Sequence, residues 1–114
     1  MNDSQLFNSQ RWASLREQVL RRDLYLDQIQ LRFGKRRTAD TVHHIFPREA
    51  FPEYTFEPWN LISVTRETHN RLHVRGSHYL TADGIILLER TARKRKIVLS
   101  DHDKAKVYPP RSSI

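Results

Sequence analysis

No cysteine occurs among the 114 residues, so neither a disulfide nor a thiolate metal centre can hold this chain together. A chain of this length makes one ordinary domain with a small core, which must be stabilised by packing or by a metal held through other ligands. Trp12, Leu15, Val19, Leu20, Phe46, Phe51, Trp59 and Leu61 are the candidates for that core. Histidine is the ligand to examine. Six are present, and four of them, His43, His44, His69 and His73, fall within about a quarter of the chain.

Lys plus Arg number 20 against 13 Asp plus Glu, a formal charge of +7. Such a surplus fits a polyanionic partner such as nucleic acid, and by itself fits simple solubility equally well. No run approaches the roughly 20 apolar residues that cross a bilayer, and residues 1–12 hold no long apolar stretch. The expectation is a soluble, cytoplasmic protein with no membrane partner.

Periodicity predicts the elements. Trp12, Leu15 and Val19 recur at helical spacing among polar residues, which predicts an N-terminal amphipathic helix over residues 9–22, with Ser9 or Asn8 as N-cap. Residues 23–32 alternate loosely as Leu24, Tyr25, Leu26, Ile29 and Leu31 and predict a strand or extended segment, followed at Gly34 by the basic loop Lys35-Arg36-Arg37. Residues 38–45 predict a strand that stops before Pro47, with His43 and His44 near its end. Pro47, Pro52 and Pro58 among aromatics predict an ordered loop. Residues 60–64 read as a short apolar element, and residues 65–74 as a helix with Thr65 as N-cap and Gly76 as its C-terminal cap. Asp83-Gly84 predicts a C-terminal β-hairpin, with strands at residues 85–88 and 97–99 and the basic run Arg93-Lys94-Arg95-Lys96 before the second. A disordered or extended tail is expected over residues 108–114, from Tyr108 through Pro109 and Pro110. The sum is a small α+β fold in one domain, residues 1–114.

The chemistry resides in His43-His44, Asn60 and His69-x3-His73. Four residues apart on a helix, His69 and His73 project from one face and can present two imidazole nitrogens to one metal ion. Neutral imidazole is a common transition-metal ligand. Taken alone, such a pair is more often two solvated side chains on a helix that holds no metal. His43-His44 add what phosphodiester hydrolysis needs beside it, since histidine can serve as a cation's ligand or as the base that activates water. Adjacent strand residues face opposite sides, so both can reach one phosphate only from a twisted or bulged strand end. The plain alternative is one inward histidine bonded to backbone and one outward in solvent. Asn60 alone is as readily a loop residue bonded to its own backbone.

Together, V-H-H-I-F-P at residues 42–47, N-L at Asn60-Leu61 and H-N-R-L-H at residues 69–73 resemble the HNH (His-Asn-His) endonuclease family in residue type, order and spacing. W-x2-L-R-x3-L-R-R-D, from Trp12 to Asp23, is similar to that family's lead-in helix. The resemblance implies a ββα-metal motif over about residues 38–76: a hairpin bearing the first histidines, a loop, and a helix bearing the last. It implies a metal-dependent endonuclease acting on DNA, double-stranded, with His44 as general base and His43, His69 and His73 as ligands of one divalent metal ion. Asn60 would orient the base or fix the loop. An all-histidine set suits Zn²⁺ or Ni²⁺ by softness, with Mn²⁺ or Mg²⁺ as alternatives. Lys35, Arg36, Arg37, Arg66, Arg71 and Arg75 are candidate nucleic-acid contacts, and residues 93–96 a further basic group.

Many members of that family hold a structural zinc with two C-x2-C pairs. The corresponding positions here are Asp27 and Gln30, then Thr65 and Thr68, so no structural zinc is expected. Packing from Trp12, Trp59 and the C-terminal strands would replace it. With no added recognition domain, specificity is low or comes from a protein partner. The rival function is a non-catalytic nucleic-acid-binding module of the same shape; a third is a purely structural metal site.

Overall fold

Two capped helices open the chain. Asn2 and Gln5 form a capping box on Asp3–Phe7 (α1), and the Ser9 hydroxyl accepts from the Trp12 amide to start Gln10–Arg22 (α2). The computed structural model describes residues 1–110, an α+β domain in which these and four further helices surround one two-stranded antiparallel sheet. Trp12, Leu15, Val19 and Leu20 are the buried stripe of α2. Among the described residues no helix is long and apolar enough to cross a membrane.

After α2 the chain turns through Leu24 and Tyr25, both at left-handed φ (56° and 55°). The strand expected over residues 23–32 does not form. The Asp27 carboxylate accepts from the amides of Ile29 and Gln30 and nucleates a short helix, Gln28–Arg32 (α3), so the loose apolar alternation there is overridden by a cap. Extended pairing survives only as an isolated bridge between Leu26 and Thr38.

The sheet is Thr41–His44 (β1) against Leu61–Val64 (β2), in regular register from Thr41 opposite Val64 to His44 opposite Leu61. All four β2 residues are buried, because helices cover both of its faces. Leu61 packs with Trp12, Leu15 and Val19 of α2 in one cluster. Ile62 and Val64 pack with Leu72, Leu80, Leu87 and Leu88 in the other. His43, opposite Ile62, therefore points to one side of the sheet and His44, opposite Leu61, to the other. No twisted or bulged strand end is needed: β1 is an edge strand, and one cleft runs along its open side, lined by Thr41, Val42 and His44.

Thr65 caps the next helix, Arg66–Leu72 (α4), which ends four residues before Gly76. The backbone amide and hydroxyl of Thr81 capture the carbonyls of Leu72 and Arg71, so the chain leaves the helix at His73, and Gly76 (φ +75°) sits instead in the turn beyond. The expected C-terminal hairpin is a helix, Ala82–Arg95 (α5). Gly84, Leu87, Leu88 and Ala92 are buried at helical spacing, Thr81 caps the start, and Arg93, Lys94 and Arg95 complement the C-terminal dipole. Gly84 is there for close approach rather than for a turn: a Cβ on it would lie 2.3 Å from the Leu72 carbonyl oxygen. The second strand, expected over residues 97–99, is a connection to the last helix, Asp101–Val107 (α6). Tyr108, expected to begin the tail, is half-buried and donates its hydroxyl to Glu89; residues 111–114 of that tail lie outside the described residues.

The four positions where the resemblance would place cysteines do meet. Asp27 is 0% exposed, and its second carboxylate oxygen accepts from the Thr65 amide at 2.7 Å. The Thr65 hydroxyl accepts from the Thr68 amide at 3.0 Å, and Gln30 Nε2 reaches the Thr68 hydroxyl at 3.4 Å. A polar cluster thus joins α3 to the end of β2 and the start of α4, and helices rather than C-terminal strands pack behind it.

Candidate metal centre and its cleft

β1 and α4 bring three imidazoles together. His43 is 0% exposed beneath His69 and His73. Ring centroids are 5.3 Å apart for His43 and His69, 4.9 Å for His43 and His73, and 4.9 Å for His69 and His73. One nitrogen from each ring lies within 4.8 Å of the others. His73 joins the group although it is extended (φ −115°, ψ 146°) just beyond α4.

Neither nitrogen of His43 nor Nδ1 of His73 has a hydrogen-bond partner among the described residues, although all three atoms are buried. Buried polar groups are rarely left unpaired, at about 1–3 kcal/mol each. Protonation would not relieve this. Burial, then the charges on His73, His69 and His44, holds the His43 pKa well below the ordinary histidine value. Burial lowers His69, and burial followed by His69 lowers His73 to about 4. Three neutral, converging imidazoles with idle lone pairs are a donor set fitted to a divalent transition-metal ion.

His44 lies on the opposite face of β1 and is held twice. The Trp12 indole stacks on its ring, with centroids 5.1 Å apart and planes 18° from parallel. Nε2 lies 3.0 Å from the Thr55 carbonyl oxygen. A carbonyl only accepts, so the neutral ring carries its proton on Nε2 and leaves Nδ1 with the lone pair. Burial lowers the His44 pKa by more than the Thr55 carbonyl and Glu49 raise it.

Asn60, expected to orient the base or fix the loop, has its bonds to the loop. It is 0% exposed; its Oδ1 accepts from the Phe46 amide at 2.7 Å, and Nδ2 donates to the carbonyls of Phe46 at 3.1 Å and Tyr54 at 3.0 Å. It fixes Tyr54 and so places the following carbonyl, that of Thr55, against His44. Sequence could not single out Thr55, because it acts through its backbone.

The cleft, of about 1120 Å³, is lined by His44, His69 and His73 together with Trp12, Arg48 and Arg75. Of the six candidate nucleic-acid contacts, Arg75 lines it. Lys35, Arg36 and Arg37 are exposed on the loop after α3, away from it; Arg66 is exposed at the start of α4, and Arg71 pairs with Glu67 at 2.5 Å on another face of that helix. Arg16 also lines the cleft, and so does Arg48, a second basic residue that sequence did not single out. Its guanidinium donates to the Asp3 carboxylate and, at 2.8 Å, to the Met1 carbonyl, which fastens α1 to the cleft wall.

No protein-family model and no curated protein matches the chain. Among solved structures it is similar to the crystal structure of a deep-sea thermophilic bacteriophage GVE2 HNH endonuclease with manganese ion. Identity is 34% and the TM-score 0.56, covering 57% of this chain and 71% of that one.

Proposed function

The chain belongs to the HNH endonuclease family, and from that premise we propose that it is a metal-dependent endonuclease that hydrolyses phosphodiester bonds of double-stranded DNA. The observation that carries this reading is the presence, along one strand edge, of three converging neutral imidazoles and a fourth that is separately oriented. Binding alone has no use for the fourth.

His43, His69 and His73 would hold one divalent cation, which supplies positive charge against the oxygens of the scissile phosphate. His44 is the general base: Nδ1 takes a proton from a water molecule while Nε2 keeps its own against Thr55. The water oxygen attacks phosphorus, the bond to the 3′ oxygen breaks, and that oxygen takes a proton from solvent. The products carry a 5′-phosphate and a 3′-hydroxyl. Arg48 and Arg75 face the cleft and would contact phosphate oxygens. Asn60 and Trp12 are positioning residues for His44, one through the loop and the other by stacking. Histidine ligands favour Zn²⁺ or Ni²⁺ over Mn²⁺ or Mg²⁺ by softness, while the manganese of the phage enzyme supports Mn²⁺ as the ion.

A plasmid-nicking assay with each of these four cations tests the reading. Nicked circles ending in 5′-phosphate are expected with at least one metal. Binding of the plasmid without cleavage under all four would leave only a nucleic-acid-binding module of the same shape.

A further inference from the structure

The surplus positive charge of this protein is not in its cleft. There, Asp3, Asp40 and Glu49 balance Arg16, Arg48 and Arg75. The basic surface lies across the domain, where α3 and α5 meet. Arg32 of α3 stands between two shallow grooves, one where Arg22, Lys94 and Arg95 outnumber Asp23 and the other where Arg71 and Arg90 outnumber Asp83. Neither groove shares a residue with the cleft.

Arg32, Arg90, Lys94 and Arg95 are exposed, and among the described residues none of these four pairs with a carboxylate. Partial desolvation and then the nearby Arg90 push the Arg32 guanidinium below its ordinary value. Two like charges brought together, neither paired with a carboxylate, are destabilising unless an anion joins them. Aromatic surface accompanies them: Phe33 is 77% exposed, and the Arg95 guanidinium lies 5.0 Å from the centre of the Trp59 ring.

We propose that this α3–α5 face is a second nucleic-acid surface, which grips the phosphate backbone of a segment other than the one in the cleft. The inference rests on the reading of the substrate as nucleic acid. Repeated phosphates match unpaired guanidiniums in charge and geometry, and an exposed aromatic ring at Phe33 beside the cations suits a nucleic acid better than a free anion. The second segment is separate because the sheet and α4 lie between the two surfaces. Duplex DNA is stiff over about 50 nm, whereas the whole domain is 42 Å in its longest dimension. A straight duplex in the cleft cannot also lie on the far face.

The test is the stoichiometry of metal-free full-length protein with a hairpin duplex of about one helical turn (~10 bp), measured by calorimetric titration and sedimentation at low salt. Two duplexes per chain are expected. The triple variant Arg32→Gln, Arg90→Gln, Lys94→Gln should bind one, and a triple variant of equal charge, Arg11→Gln, Arg21→Gln, Lys104→Gln, should still bind two. One duplex on the parent protein, two on the first variant, or one on the charge-matched variant would each overturn the inference. Arg32→Glu, a single change at an exposed position, should weaken the second binding event alone; loss of the first event instead also overturns it. Without metal, the result does not depend on cleavage. A protein that never nicks DNA can therefore keep its second surface, and one that nicks can lack it.

Discussion

Replacing Asp27 with alanine should cost this protein about 2–5 kcal/mol, a large share of the roughly 5–15 kcal/mol that holds an ordinary domain folded. The carboxylate is 0% exposed and accepts from three amides: Ile29 at 3.0 Å, Gln30 at 2.8 Å and Thr65 at 2.7 Å. The first two are the N-terminal cap of α3, worth about 0.5–2 kcal/mol. The third is a charge-assisted bond to a strand-end amide, worth about 1.5–3 kcal/mol. Thr65 is also the cap of α4, so the loss should reach His69 and weaken metal binding. Urea unfolding of metal-free protein measures the stability directly, with an unchanged slope marking a loss without a change in compactness. Asp27→Asn keeps one accepting oxygen and should lose about half as much. Burial alone would raise the Asp27 pKa, but the amides of Gln30 and Thr65 and the hydroxyls of Thr68 and Thr65 bring it below its ordinary value. A carboxylate with a depressed folded pKa contributes stability that is complete above its unfolded value, about 3.9, and is lost as pH falls through the folded value. The gap between wild type and Asp27→Asn should accordingly close below about pH 4. A loss under about 1 kcal/mol for Asp27→Ala would refute the idea that this cluster ties α3, β2 and α4 together.

Three further outcomes are expected. Gly84→Ala puts a methyl group 2.3 Å from the Leu72 carbonyl, and should cost about 1–3 kcal/mol in urea unfolding while loosening metal binding through the adjacent His73; a gain in stability, as for an ordinary exposed helix glycine, would contradict the packing. Metal-free protein should lose stability as pH falls, because the folded pKa values of His43, His69 and His73 lie below the ordinary 6.5 and that of His73 is about 4. The stability is complete above about pH 6.5 and lost on the way down to pH 4, and a melting temperature flat over that window would count against neutral buried imidazoles. Asn60→Ala removes three bonds between the loop and the β1 end; it should destabilise by about 2–4 kcal/mol and slow cleavage more than it weakens DNA binding, which single-turnover rates beside a binding isotherm would separate.

The histidine cluster was visible in residue type and spacing. His43, His69 and His73 converge as their positions suggest, even though His73 lies just outside the helix that was to carry it. What escaped was what acts through backbone or tertiary contact. Thr55 orients His44 with a carbonyl that any residue would supply, and Arg48 reaches the cleft wall because Asp3 and the Met1 carbonyl hold it there. Local signals also misled. Asp83-Gly84 is a strong hairpin signal, yet this glycine answers to the nearness of Leu72, and the apolar residues after it follow a helical period once Thr81 is read as a cap. The alternation around Leu24 to Leu31 was too loose to outweigh one well-placed carboxylate at Asp27. The replacement for the missing cysteines was equally hidden, since Asp27, Gln30, Thr65 and Thr68 form a cluster only after α3 and α4 are side by side.

The central claim is that His44 performs the proton transfer while the other three histidines hold the ion. Single-turnover cleavage of a labelled duplex at saturating Mn²⁺, comparing wild type with His44→Ala, tests it most directly. The account predicts a rate at least about 100-fold lower for His44→Ala, with Mn²⁺ affinity unchanged. Cleavage at the wild-type rate by His44→Ala would contradict it.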